Sequence, residues 1–186
     1  MENKEALFKR LAEAAITNGA FKANVIETDK IVTDRVFREI CLTNSCGKCG
    51  KCYMCPPDVG DIDELMSSIS DYDHALVYQT VSELDDSFDF EGMIAAKKAF
   101  YPVSQSLRKV FDEAELKKVL HLGAGGCGVC EKCAKATDEP CRFPELAMAS
   151  LESYGINVSE LAKAAGMKYI NGQNTVTYFG AVLFSI

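Results

Sequence analysis

The arrangement of its cysteines most constrains what this chain can fold into. Nine cysteines occur in 186 residues, five of them between Cys41 and Cys55 and four between Cys127 and Cys141. The N-terminus has mixed charge and lacks the basic-then-apolar form of a signal peptide, so we predict a cytoplasmic protein. Disulfides are rare in the reducing cytosol, where clustered cysteines more often bind metal or carry out redox chemistry. The sequence therefore predicts two metal-binding loops.

The second cysteine group has the spacing of an iron–sulfur site. Its first three cysteines are separated by two residues each, and the fourth follows Pro140. A loop with two-residue gaps can wrap three corners of a cuboidal cluster, and the fourth thiolate then comes from further along the chain. Four glycines before and within the loop would keep the approach free of side chains. The predicted ligands of a [4Fe–4S] cluster here are Cys127, Cys130, Cys133 and Cys141.

The first cysteine group approaches the run found in bacterial ferredoxins, with a last gap one residue shorter. Its final cysteine precedes Pro56, and in two-cluster ferredoxins the corresponding cysteine binds the other cluster. We predict that eight of the nine cysteines bind two [4Fe–4S] clusters. Cys41 is a rival ligand that could replace Cys46, Cys49 or Cys52. The predicted first set is Cys46, Cys49, Cys52 and Cys55.

Zinc is the alternative metal for both groups. Structural zinc sites favour two CxxC hooks separated by roughly 12 to 20 residues. Three or four cysteines at successive two-residue gaps fit that plan poorly, because one hook already supplies two ligands. The alternative interpretation is a structural zinc module that mediates protein–protein contacts.

Hydrophobic periodicity predicts a single α/β domain over residues 1–186, with a small mixed β-sheet flanked by helices and two cysteine-rich loops. The tail is predicted to form a hairpin at the sheet edge, from 168–170 and 175–184. Pro56-Pro57 is predicted to give the first cysteine loop an extended exit. The other principal predicted elements are helices at 2–17, 93–110 and 144–154 and strands at 74–81 and 119–122.

Charge and hydropathy limit the partners of the chain. The net charge of −7 argues against nucleic acid, because neutralising phosphates needs a basic face. No apolar stretch reaches the roughly 18 residues that a membrane span requires. The pattern leaves a redox partner protein as the expected partner and does not indicate an oligomeric state.

No substrate motif accompanies the cysteines. Gly123 to Gly128 matches G-x-G-x-x-G, but a cysteine loop follows it in place of the helix and acidic residue of a dinucleotide site. His74 and His121 lie in apolar runs and are predicted to be core residues rather than ligands. Electron transfer is therefore the favoured function, and an iron–sulfur enzyme with one cluster site open to substrate is a further alternative.

Four segments resemble a known family. They are Cys-Pro-Pro at 55–57, Gly-Ala-Gly-Gly-Cys-Gly-Val-Cys-Glu-Lys-Cys at 123–133, Pro-Cys-Arg-Phe-Pro-Glu at 140–145 and Ser-Leu-Glu-Ser-Tyr-Gly-Ile-Asn-Val at 150–158. Together they resemble the uncharacterised "predicted metal-binding protein" family, domain of unknown function 2284, over roughly residues 25 to 186. The resemblance implies metal or cluster binding but no established reaction. The chain departs from the family in its crowded Cys46–Cys55 stretch. The residues implied by the resemblance are Cys55, Cys127, Cys130, Cys133 and Cys141.

Overall fold

The computed structural model describes residues 3–114 and 116–186, which form one mixed sheet with helices on both faces. The strands are β1 (Lys22–Glu27), β2 (His74–Glu83), β3 (Lys118–Gly123), β4 (Ala149–Ser150) and β5 (Thr175–Ser185). Their order across the sheet is β1-β2-β5-β3-β4, and of these pairings only β3 with β4 is parallel. The predicted α/β fold class is confirmed.

The helices largely follow the predicted periodicity. They are α1 (Lys4–Thr17), α2 (Arg35–Leu42), α3 (Ile62–Ser68), α4 (Phe90–Asp112) and α5 (Val158–Ala164). Residue 2, where the first predicted helix began, lies outside the described residues. Along α4, side chains at helical spacing are buried against the sheet, with Pro102 on the exposed face. None of the described helices is long and apolar enough to cross a membrane.

The predicted hairpin at the C-terminal end is wrong. Residues 168–170 are not a strand, and β5 lies in the middle of the sheet between β2 and β3. Residues 179–184 are buried, with Leu183 in the core on one face and Val182 in the core on the other. A strand that is apolar on both faces must be covered on both faces, so it takes a central place rather than an edge.

The predicted helix at 144–154 is also wrong. This segment forms a turn, then β4, then a short 3₁₀ helix (Glu152–Tyr154) that ends at Gly155. The N–H of Leu151 donates to the Gly123 carbonyl (3.0 Å), and the N–H of Ser153 donates to Ser150 Oγ (3.0 Å). The backbone N–H groups of this segment therefore bond to β3 and to a serine side chain instead of to helical carbonyls. This arrangement places Glu152 next to the cysteine loops.

A buried polar group lies between α4 and the sheet. Tyr78 Oη donates to Ser104 Oγ (2.8 Å), and the Nε2 atom of His121 lies 2.7 Å from Tyr78 Oη. Both rings are buried, and burial raises the pKa of Tyr78 and lowers the pKa of His121 to about 3. His121 is therefore a core residue, as predicted.

Candidate metal centre

Eight of the nine cysteines lie in two loops that contact one another, and Cys41 lies on α2. One loop connects α2 to α3 and the other connects β3 to β4. Tyr53 Oη donates to the Glu139 carbonyl (2.8 Å), and Lys135 Nζ lies 2.8 Å from Asp58 Oδ1. Cysteines more than 70 residues apart in the sequence are thereby brought into one region, and all nine are free thiols.

The exit from the first loop differs from the prediction. After Cys55 the chain turns instead of extending: the N–H of Val59 donates to the Cys55 carbonyl (3.0 Å) and the Pro56–Pro57 peptide is cis. The turn leads directly into Asp61, whose side chain caps α3 through the N–H of Asp63 (2.9 Å). Cys55 is consequently held at the buried base of the loop, with 6% of its surface exposed.

The nine cysteines line two neighbouring cavities, which we call the first pocket and the second pocket. The first pocket is also lined by Gly125, Gly126 and Glu152, and the second by Arg142 and Phe143. The cysteines of the first pocket are Cys41, Cys46, Cys49 and Cys55. The cysteines of the second pocket are Cys52, Cys127, Cys130, Cys133 and Cys141.

This division agrees with the sequence-based grouping except at two positions. The structure brings the four cysteines of the second group together in the second pocket. It also brings Cys46, Cys49 and Cys55 together in the first pocket. Cys52, which was grouped with them, instead lines the second pocket, and Cys41 lines the first.

Cys52 lies at the boundary between the pockets and is 1% exposed. Hydrogen bonding with the Cys55 side chain, with the backbone N–H groups of Met54 and Cys127 and with the Cys133 side chain favours the thiolate of Cys52, so the pKa of Cys52 falls to about 6. The bond to Cys52, followed by burial, raises the pKa of Cys55 well above its usual range. Cys52 is the thiol of this pair that favours the charged form.

The second loop is held by close packing on α4. Tyr101 Oη donates to the Gly126 carbonyl (2.8 Å), and a Cβ at Gly128 would lie 2.0 Å from the Tyr101 ring. A Cβ at Gly126 would lie 3.1 Å from Cys55 Sγ. Both glycines are therefore needed for the close packing of the loop, and their role in keeping the approach to a cluster free of side chains stays a prediction. At Cys127, burial raises the thiol pKa, although the N–H groups of Val129 and Met148 donate to its sulfur.

The first loop is held by two polar anchors that the sequence did not indicate. Arg38 is buried on α2 and donates to the carbonyls of Ser153 (3.0 Å) and Gly60 (2.7 Å). Asn44, in the left-handed region at φ 56°, accepts from the N–H of Cys49 through its side chain (3.0 Å). Arg38 ties α2 to the segment that carries Glu152, and Asn44 ties the end of α2 to the cysteine loop.

The two pockets differ in size. The first has a volume of about 210 Å³, and the second about 20 Å³, which is little more than one water molecule occupies. In the described ranges 3–114 and 116–186, no three His, Cys, Asp or Glu side chains converge closely enough to bind a single metal ion. Thiolate-rich donor sets suit iron–sulfur clusters and zinc, so the chemistry of the lining fits either group. The second pocket is narrower than a four-iron cluster requires.

A third cavity, of about 300 Å³, adjoins the first pocket. Gly125 and Glu152 line both. Lys97 and Tyr178 contribute to the far wall, and Tyr169 stacks on Phe179 with ring centroids 5.9 Å apart. A small molecule in this cavity would therefore lie beside the first cysteine set. Glu152 falls in the segment predicted as a helix at 144–154, and its place at the first pocket follows from the bonding of β4.

Comparison with known proteins gives one match. A family model described as "Predicted metal-binding protein (DUF2284)" matches residues 24–184. No curated protein and no solved structure matches the chain. The matched range contains both cysteine loops and all nine cysteines.

Proposed function

The chain belongs to this family of predicted metal-binding proteins, and we propose that it binds two [4Fe–4S] clusters and transfers electrons to a partner protein. The observation that carries the proposal is the convergence of nine free thiols on two adjacent pockets. Unpaired cysteines at this density are typical of metal and redox sites rather than of a hydrophobic core. We place the protein in the cytoplasm, where such thiols stay reduced.

The proposed ligands follow the pocket linings. Cys127, Cys130, Cys133 and Cys141 would hold the cluster of the second pocket, and Cys46, Cys49 and Cys55 would supply three ligands in the first. Bound clusters would supply one-electron carriers, and the chain's own groups would set their potentials through hydrogen bonds to sulfur and through burial. The N–H groups directed at Cys127 and Cys52 are of this kind.

The contact between the pockets supports electron transfer rather than two unrelated structural sites. Cys55 lines the first pocket and contacts Cys52, which lines the second. Groups bound on the two sides would be neighbours. Cys46 is the exposed cysteine of the first pocket, so this side is accessible to a partner.

Metal analysis tests the proposal. Iron, acid-labile sulfide and zinc would be measured per chain on anaerobically purified protein, together with its absorbance spectrum. Two cubane clusters correspond to about eight irons with matching sulfide. Protein that contains neither iron nor sulfide would contradict the proposal.

Zinc binding at the second pocket is a second candidate function, favoured by the narrow volume there. A single ion needs less space than a four-iron cluster, and Cys₄ is a common structural zinc set. Stoichiometric zinc without iron would support this interaction module.

An enzyme with an open cluster site is favoured by the 300 Å³ cavity beside the first pocket. Lys97 and Glu152 are half-buried charged groups on its wall and would orient a small polar substrate. Under this alternative, small polar molecules would perturb the spectrum of the first cluster, and Lys97→Met would abolish the perturbation. A spectrum insensitive to such molecules would exclude it.

A further inference from the structure

We infer that Cys41, and not Cys52, completes the first ligand set with Cys46, Cys49 and Cys55. This inference rests on the proposed cluster in the first pocket. It changes the set expected from spacing alone, in which four cysteines at two-residue gaps act together. The side chains that face the same cavity come instead from the end of α2 and from three positions of the following loop.

The position of Cys41 is fixed by α2. Cys41 lies three residues after Arg38 and four after Phe37, so the three side chains share one helix face. Arg38 is buried and bonded to the carbonyls of Ser153 and Gly60, which orients that face toward the first pocket. Phe37 and Cys41 both line the pocket.

The end of α2 is joined to the loop that carries the other ligands. The N–H of Asn44 donates to the Cys41 carbonyl (3.1 Å), and the N–H of Gly47 donates to the Asn44 carbonyl (2.9 Å). The Asn44 side chain also accepts from the N–H of Cys49. Asn44 is therefore bonded to both Cys41 and Cys49, and Cys46 lies within the turn between Asn44 and Gly47.

The Cys52 side chain faces the second pocket instead of the first. It lines the second pocket together with Cys127 and Cys133, both in the second loop. Turning Cys52 into the first pocket would separate it from these neighbours. Among the described residues, the ionisable groups that act on Cys41 belong to the first pocket and to α2: Glu152, Cys46, Arg38 and Cys49.

A matched pair of serine variants tests the inference. Iron and sulfide content and the paramagnetic resonance spectrum of the reduced protein would be compared for Cys41→Ser and Cys52→Ser, with Cys130→Ser as the control that removes the second cluster. We expect Cys41→Ser to fall from about eight irons to about four and to retain the second-site signal. Cys52→Ser should retain the first-site signal. Loss of the first-site signal in Cys52→Ser, with its retention in Cys41→Ser, would overturn the inference.

Alkylation of the native chain gives a readout that does not depend on a variant folding. The half-buried Cys41 should be protected from a thiol reagent while iron is bound and become reactive once a chelator and an oxidant remove the iron. Reaction of Cys41 at the same rate before and after iron removal would contradict its assignment as a ligand. If the wild-type chain contains no iron, the proposed function itself fails, and this outcome is distinct from a wrong ligand set.

Discussion

The side chains of Cys52 and Cys55 contact each other, although they line different pockets. The wall between the pockets therefore contains this pair of cysteines. Cys52 is 1% exposed and Cys55 is 6% exposed, so this contact is shielded from water. Metal groups on its two sides would be close enough to influence one another.

Replacing Cys52 with alanine is expected to destabilise the metal-free chain. The N–H groups of Met54 and Cys127 lose their buried acceptor, at a cost of about 1 to 3 kcal/mol in the free energy of unfolding. Urea unfolding of chelator-treated protein measures this change. Cys46→Ala is the control, because Cys46 is exposed and its removal should cost little. Equal losses in the two variants would show that the bonds to Cys52 contribute nothing.

Arg38→Met is expected to loosen the first pocket. The variant loses two hydrogen bonds from a charged donor to the carbonyls of Ser153 and Gly60, which we expect to cost about 2 to 3 kcal/mol. Iron should be lost faster from the first site than from the second, as followed by absorbance during chelation. Arg35→Met on the same helix is the matched control, because its ion pair with Asp63 is exposed and such pairs contribute little. An equal effect of both variants would count against the anchoring role of Arg38.

Gly128→Ala is expected to displace the second loop. The new Cβ would lie 2.0 Å from the Tyr101 ring, and overpacking of this kind costs about 1 to 3 kcal/mol. We expect a lower thermal midpoint and less iron at the second site. In a double-mutant cycle, adding Tyr101→Ala should relieve part of the penalty because it removes the clashing ring. Additive losses would show that the ring contact is not the cause.

Stability should fall in acid because of His121. The Tyr78 hydroxyl donates its one proton to Ser104, so it accepts a hydrogen bond from the Nε2–H group of His121. The Nδ1 atom of His121 has no hydrogen-bond partner among the described residues, so a second proton on the ring would be buried without an acceptor. The folded-state pKa of about 3 lies below the ordinary value of 6.5, so the unfolded chain binds the extra proton between these values. Stability is then retained above pH 6.5 and decreases toward pH 3, with a slope approaching about 1.4 kcal/mol per pH unit.

Comparing the wild type with His121→Gln isolates this contribution. Urea midpoints at pH 7 and pH 5 would be measured for both proteins, since thiolate protonation affects both alike. The wild type should lose more stability than the variant between the two pH values. Parallel losses would exclude His121 as the source of the acid dependence.

The sequence predicted the cysteine groups and the long helix because both depend on local spacing. The apolar residues of α4 recur at helical intervals and form one face, so the helix can be predicted without knowing what packs against it. The two-residue gaps around Cys52 set how far apart the sulfurs are along the chain, but not the direction in which each side chain points. That direction depends on the N–H of Cys127, which comes from a distant loop. Spacing alone did not reveal this contact.

The errors at the C-terminal end have a similar cause. The apolar run of β5 was predicted as part of an edge hairpin, and its pairing with both β2 and β3 places it at the centre of the sheet. Residues 144–154 contain good helix formers, but the buried Ser150 and Ser153 bond to each other beside β3. Tertiary pairing outweighed local propensity at both places.

Paramagnetic resonance of the anaerobically reduced wild-type protein tests the central claim of two adjacent clusters most directly. The sulfur contact between the pockets predicts two cluster signals that are broadened by magnetic interaction. In Cys130→Ser, where only the first cluster remains, a single unbroadened signal is expected. Two signals without interaction would contradict adjacent clusters, and a wild-type protein with no cluster signal would contradict iron–sulfur binding altogether.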